Sequence, residues 1–261
     1  MGRGIGQFYP GMSPLHALDP RAKILASVGL VAALFLVGSF HGFLLVAVVV
    51  LSLLIVSRVP AAAFLRFLKP VSFIVALTFL FQALFSREGN ILFEWGWLSV
   101  YEGGVSNGAF LAARILLLVL SAALLTATTP PVALTDGIED LLSPLKKLRF
   151  PSHEVAMMMT IALRFIPTLD EEAQKIMRAQ AARGAEFSEG GLIKRVKAII
   201  PILVPLTVGA FCRADELADA MESRGYRGGE GRTRYRELKF RLRDGVALLF
   251  VVLVAVGGAV L

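Results

Sequence analysis

The chain has 261 residues, 56% of them hydrophobic and 18% charged, with a formal net charge of +7. Soluble domains average about 45–50% apolar residues, so the excess points to a lipid bilayer as part of the solvent. A single cysteine, Cys212, excludes a disulfide framework and a cysteine-rich metal site, and His16, His41 and His153 are too far apart for ligand spacing.

The first 20 residues contain Gly and Pro and lack an apolar h-region, so no cleavable signal is expected there. Residues 24–56 are almost continuously apolar. As one helix they would be about 50 Å long against a hydrocarbon core of about 30 Å. The run Gly38-Ser39-Phe40-His41-Gly42 offers a turn, which predicts a hairpin of two short spans. A third span is expected over Val71–Phe85, a fourth over Gly108–Thr128, and a fifth from Gly245 to Leu261. The loop Arg58–Lys69 carries three basic residues and no acid, whereas Arg87–Glu102 carries one basic and three acidic residues. Excess Lys and Arg stays cytoplasmic, so the first loop, the N-terminus and everything between the fourth and fifth spans are expected inside a bacterial membrane. This topology accounts for the positive charge without nucleic acid.

Between Pro131 and Asp244 lie 19 of the 27 basic and 16 of the 20 acidic residues. The mixed signs and helical periodicity predict an ordered insertion. Its first helix opens after Pro130-Pro131, with Leu134, Ile138, Leu141, Leu142, Leu145 and Leu148 at helical spacing and a kink expected at Pro144. Val155–Leu163 is apolar all round but too short to span, and its Met157-Met158-Met159 reads as core filler or as an adaptable partner surface. Thr168 and Glu171 have the spacing of a capping box, which predicts a new helix after Pro167 that ends at Gly184. Ala198–Cys212, with Pro201 and Pro205, is expected to form a bent helix lying across the inner face, and Cys212 to pack within the fold. A later helix from Arg213 ends in Ser223-Arg224-Gly225, so two helices finish small residue, Arg, Gly, 41 residues apart. Arginine near a helix C-terminus suits the dipole. A matched pair also suits a partner with two equivalent pockets, because a guanidinium stays charged and presents a rigid fork of donors.

Four motifs resemble signatures of the T component of energy-coupling factor (ECF) transporters. They are Leu18-Asp19-Pro20-Arg21-Ala22-Lys23, Arg164-Phe165-Ile166-Pro167-Thr168-Leu169, the run Ala179–Gly184, and Ala220-Met221-Glu222-Ser223-Arg224-Gly225-Tyr226. The resemblance implies an all-α polytopic fold of about five spans plus a cytoplasmic domain of amphipathic coupling helices. The expected division is a membrane domain over 1–129, coupling helices over 130–244 and a terminal span over 245–261. It further implies a non-catalytic subunit of an ABC-type importer in the bacterial cell membrane, with no cofactor of its own. Two cytoplasmic ATPases, which bind ATP and Mg, would receive the helix ends Ala182-Arg183-Gly184 and Ser223-Arg224-Gly225. A membrane S component carrying a vitamin or metal ion would dock on an apolar surface, for which Met157, Met158, Met159, Leu141 and Leu145 are the candidates. Asp19-Pro20 needs no partner to explain it, since it reads as the N-cap and first-turn proline of the first span.

Two rival classes leave weaker traces. A membrane enzyme would bury ionisable groups within its spans. Arg114 is the main one here, and snorkelling or a contact between helices explains it. There is no Gly-x-Ser-x-Gly elbow, zinc motif or phosphate-binding Gly-Lys-Ser loop. A secondary transporter would carry inverted repeats and broken polar helices at mid-membrane, and no inverted pattern is visible.

Overall fold

The computed structural model of the protein describes residues 8–95, 98–144, 151–185, 191–226, 228 and 238–260. They divide into two compact units, residues 8–137 with 238–260, and residues 138–226 with 228.

The first unit is a bundle of apolar helices. α1 (Pro20–Leu36) starts as the sequence dictates, with Asp19 as N-cap accepting from the Arg21 amide at 2.9 Å and Pro20 in the first turn. The chain turns through Val37 and Gly38, and Ser39 caps α2 (Phe40–Ser57) by accepting from Gly42 N–H. The expected hairpin is therefore present. α3 (Ala61–Phe85) begins ten residues before the expected Val71 and runs through Pro70. Two of the three charges that made 58–69 read as a loop sit on its outer face: Arg66 and Lys69 are exposed, while Ala63 and Phe64 are buried, and the third, Arg58, caps the end of α2. α4 (Glu102–Thr128) also begins earlier than expected, and α8 (Leu242–Val260) starts three residues before Gly245. Between α3 and α4 the chain forms an antiparallel hairpin, β1 (Ile91–Trp95) with β2 (Leu98–Tyr101), where a plain loop was expected. Apart from that hairpin, the regular structure among the described residues is helical.

Among the described residues, four helices are long and apolar enough to cross a membrane: α2, α3, α4 and α8. α1 has 17 residues and packs in the same bundle, against α8, α4 and α2. The core joins Leu30, Leu34, Phe43, Val46, Val50 and Leu117 to Val251 and Val254 of α8. α2 and α8 approach closely because both present glycine: a Cβ on Gly42 would lie 2.1 Å from the Gly258 carbonyl oxygen. Arg114 makes the expected contact between helices. It donates to the Val37 carbonyl at 2.6 Å, beyond the C-terminus of α1, and lies over the Phe110 ring.

A buried polar knot closes one end of this bundle. Asp244 is 1% exposed. Its carboxylate accepts from the Arg241 amide at 2.7 Å, as an acid three residues into a helix reaches back to the cap. Its other oxygen accepts from the Asp19 amide at 2.8 Å. Arg21 donates to the Leu238 carbonyl at 2.8 Å, and Lys23 donates to the carbonyls of His16 and Thr128. The starts of α1 and α8 and the end of α4 are thus joined by hydrogen bonds.

The second unit contains two long helices. α5 (Pro131–Leu142) straddles the boundary, and its α-helix gives way to a 3-10 turn at Ser143 and Pro144, where the kink was expected. The continuation through Leu145 and Leu148 lies outside the described residues. α6 (Ser152–Ala182) runs straight through Pro167. The capping-box reading of Thr168 and Glu171 is therefore wrong: Thr168 is helical and exposed, and Val155–Leu163 is the first part of the same helix. One missing N–H is tolerated where flanking apolar residues, Phe165 and Leu169, face another helix. α7 (Leu192–Ser223) is likewise one helix, with Pro201 and Pro205 inside and exposed. Its 32 residues correspond to about 48 Å. Cys212, expected to pack, is exposed on it.

Two substitutions test the bundle. Gly42→Ala forces α2 from α8 and lowers stability by about 1–3 kcal/mol, read as a lower unfolding midpoint in detergent. Asp244→Ala removes the acceptor of two backbone N–H groups and lowers stability by about 2–4 kcal/mol. Asp244→Asn, which keeps one acceptor oxygen, falls between the variant and the parent.

Candidate functional site

The two long helices end in the same backbone device. In α6, Arg183 is the C-cap, Gly184 has φ +85°, and the amides of Ala185 and Gly184 donate to the carbonyls of Gln180 and Ala181, both at 3.0 Å. In α7, Arg224 is the C-cap, Gly225 has φ +75°, and the amides of Tyr226 and Gly225 donate to the carbonyls of Met221 and Glu222 at 3.0 and 2.9 Å. Each is a Schellman motif. Glycine is required because a side chain at that φ strains the backbone. Ala182, Arg183, Gly184, Ser223, Arg224 and Gly225 are all exposed, and a Cβ on either glycine would meet nothing within 4 Å. Within each tip the predicted residues come together as a bare helix end carrying one guanidinium.

α6 and α7 pack on each other through residues 161–172 and 209–221. An open groove there is lined by Phe165 and Leu169 of α6 and by Ala214, Leu217 and Met221 of α7. Beside it Glu172 forms an ion pair with Arg213. The segments that lead to the tips differ in charge. α6 carries Lys175 and Arg178 before Arg183, and α7 carries Asp215, Glu216, Asp219 and Glu222 before Arg224, all exposed.

The candidate docking residues are placed less uniformly. Met157 and Leu141 are half-buried, Met158 and Met159 are 58% and 38% exposed, and Leu145 lies outside the described residues. His153 of α6 is hydrogen-bonded to Glu139 of α5 at 3.0 Å, which links the helices bearing Met158 and Leu141. A larger apolar surface lies on α7, where Ile200, Leu203, Val204, Val208 and Phe211 are each about half exposed or more. Their spacing places Ile200, Val204, Val208 and Phe211 along one side of the helix. Sequence reasoning recognised that run as apolar but did not identify it as an outward face.

Comparison with known proteins gives this geometry a family. The CbiQ family, described as cobalt transport protein, matches residues 11–235. The energy-coupling factor transporter transmembrane protein EcfT of Bacillus subtilis is 48% identical over 251 residues, covering 96% of this chain and 95% of the relative. Its counterparts from Thermosediminibacter oceani and Clostridium kluyveri are 47% identical over 253 residues and 50% over 246. They are covered over 95% and 91% of their lengths, by 97% and 94% of this chain. The chain belongs to the ECF T-component family. It is a transmembrane component of a transporter.

The caps predict a local effect. Gly184→Ala or Gly225→Ala forces a side chain into left-handed backbone at about 1–2 kcal/mol. The last turn of the affected helix alone should lose protection in amide hydrogen exchange, with the membrane bundle unchanged.

Proposed function

We propose that this T component is the coupling subunit of a bacterial ECF-type importer, bound through Arg183 and Arg224 to two cytoplasmic ABC ATPases. The observation that carries the reading is the pair of helix ends with the same cap hydrogen bonds, each an exposed arginine held at a Schellman cap. Two copies of one device fit two pockets of one kind. The basic and acidic segments behind them fit pockets that differ in surrounding charge. A guanidinium can enter an acid-lined pocket and donate in a fixed fork, and the glycine beyond it lets the pocket wall approach the backbone.

On this reading the chain is non-catalytic. ATP and Mg are bound by the ATPases, and cargo, a vitamin or metal ion, is held by a separate S component in the membrane. The excess of Lys and Arg in the insertion and around Arg58–Lys69 supports a cytoplasmic position for the tips and the N-terminus in a bacterial cell. The S component is assigned to the outward apolar row of α7, Ile200 to Phe211, together with Met158 and Met159. A contiguous apolar face of this kind suits a partner that docks, releases and is exchanged, since its affinity rests on area rather than on directed bonds.

Replacing Arg183 and Arg224 together with Glu should abolish co-purification of the ATPases and substrate uptake. Each single change should weaken both far less, because one arm still holds. Undiminished co-purification and uptake in the double variant would sink the anchor reading.

A further inference from the structure

The Glu172–Arg213 ion pair occupies corresponding places on the two long helices. Glu172 lies eleven residues before Arg183, and Arg213 lies eleven residues before Arg224. Eleven residues are close to three turns, or about 16 Å, so the pair lies equally far from both tips. They also return each helix to nearly the same angular position. Each terminal arginine therefore leaves its helix on the side that carries its member of the ion pair.

The contact is built rather than incidental. The two contacting atoms, Glu172 Oε2 and Arg213 Nη1, are shielded from water although both side chains are about a quarter to a third exposed. One turn before Arg213 stands Gly209, where a Cβ would come within 3.2 Å of Glu172 Oε1. The glycine thus leaves the seat in which the carboxylate lies. To one side the groove is lined by α6 residues that precede Glu172 and α7 residues that follow Arg213. From the pair onward, the α7 arm runs beside the earlier part of α6 while the α6 arm continues past it. The apolar side chains of the groove, Leu169 and Leu217 among them, can slide. A charge pair seated over a glycine resists that sliding, because separating it exposes or strands a shielded charge.

We propose that Glu172 and Arg213, with Gly209 as their seat, are positioning residues that pin the two arms as one lever. A displacement of either tip is thereby passed to the other arm instead of being absorbed where the helices meet. This rests on the coupling reading above, but the distance measurement that tests it does not.

Spin labels at Lys175→Cys and Glu216→Cys, matched positions on the two arms, are placed in a Cys212→Ser background, and their separation is measured in the detergent-solubilised full chain. The parent gives one narrow distance distribution. Glu172→Arg, Arg213→Glu and the milder Glu172→Gln should broaden it, and the double exchange Glu172→Arg/Arg213→Glu should narrow it again. In the reconstituted transporter, the single variants retain both ATPases but hydrolyse several-fold more ATP per substrate molecule imported. The double exchange brings that ratio back toward the parent. An unchanged distance distribution in all three single variants, or ATPases lost from them, overturns the pin. If no ATPase binds the parent chain, the coupling reading fails while the distance measurement still decides the pin.

Discussion

The membrane bundle depends on one buried carboxylate. Asp244 accepts the amide of Arg241, which starts the last helix, and the amide of Asp19, which starts the first. A charge buried to this degree is tolerated only when hydrogen bonds and nearby cations replace its water. Here the first turn of α8 supplies its own amide and α1 supplies a second, with Lys23 in the same turn of α1. Lys23 in turn reaches the carbonyl of Thr128 at the C-terminal end of α4, where the helix dipole favours a cation. Chain ends 225 residues apart are so brought together. The glycine contact between α2 and α8 then permits the close approach that buries Val46 and Val254.

The second unit is organised on different terms. Among its described residues, Ala156 and Ile202 are the only buried hydrophobic side chains. Its helices are long, they meet over limited surfaces, and an apolar row on α7 faces outward. Helices in proteins gain most of their stability from packing an amphipathic face, and here the apolar row of α7 from Ile200 to Phe211 is exposed. Such a unit is close to complete as a scaffold and incomplete as a core. On the proposed reading, this is the physical condition expected of an element that moves while bound to others.

What was legible in the sequence follows from how local each cause is. The turn at Gly38–Gly42, the cap at Asp19-Pro20 and the two arginine-glycine endings each rest on a few adjacent residues, and each was readable. Proline was misread. Pro167 was taken as the start of a helix, yet it lies inside α6, as Pro70 lies inside α3, since packing and length outweigh one lost hydrogen bond. The hairpin after α3 was missed because its short strands lack a simple alternation, with an irregular register between Ile91 and Phe93. Two features were beyond local reading altogether. Asp19 with Asp244, and Glu172 with Arg213, are contacts between distant residues, and only the recurrence of the 41-residue offset marked the second in the sequence.

The arginine tips have an electrostatic consequence beyond their shape. Each guanidinium stands beside the C-terminus of a helix of 31 or 32 residues, which acts as about half a negative charge. Seen from a distance, the cation and the helix end partly cancel, and the field of the pair falls off faster than that of a free charge. The tips are therefore poor long-range attractors and are recognised only at contact, where the planar guanidinium and the bare glycine turn are felt separately. Salt weakens interactions at a distance far more than it weakens seated ones, so a joint made of such ends would hold across the ionic strengths a cell encounters.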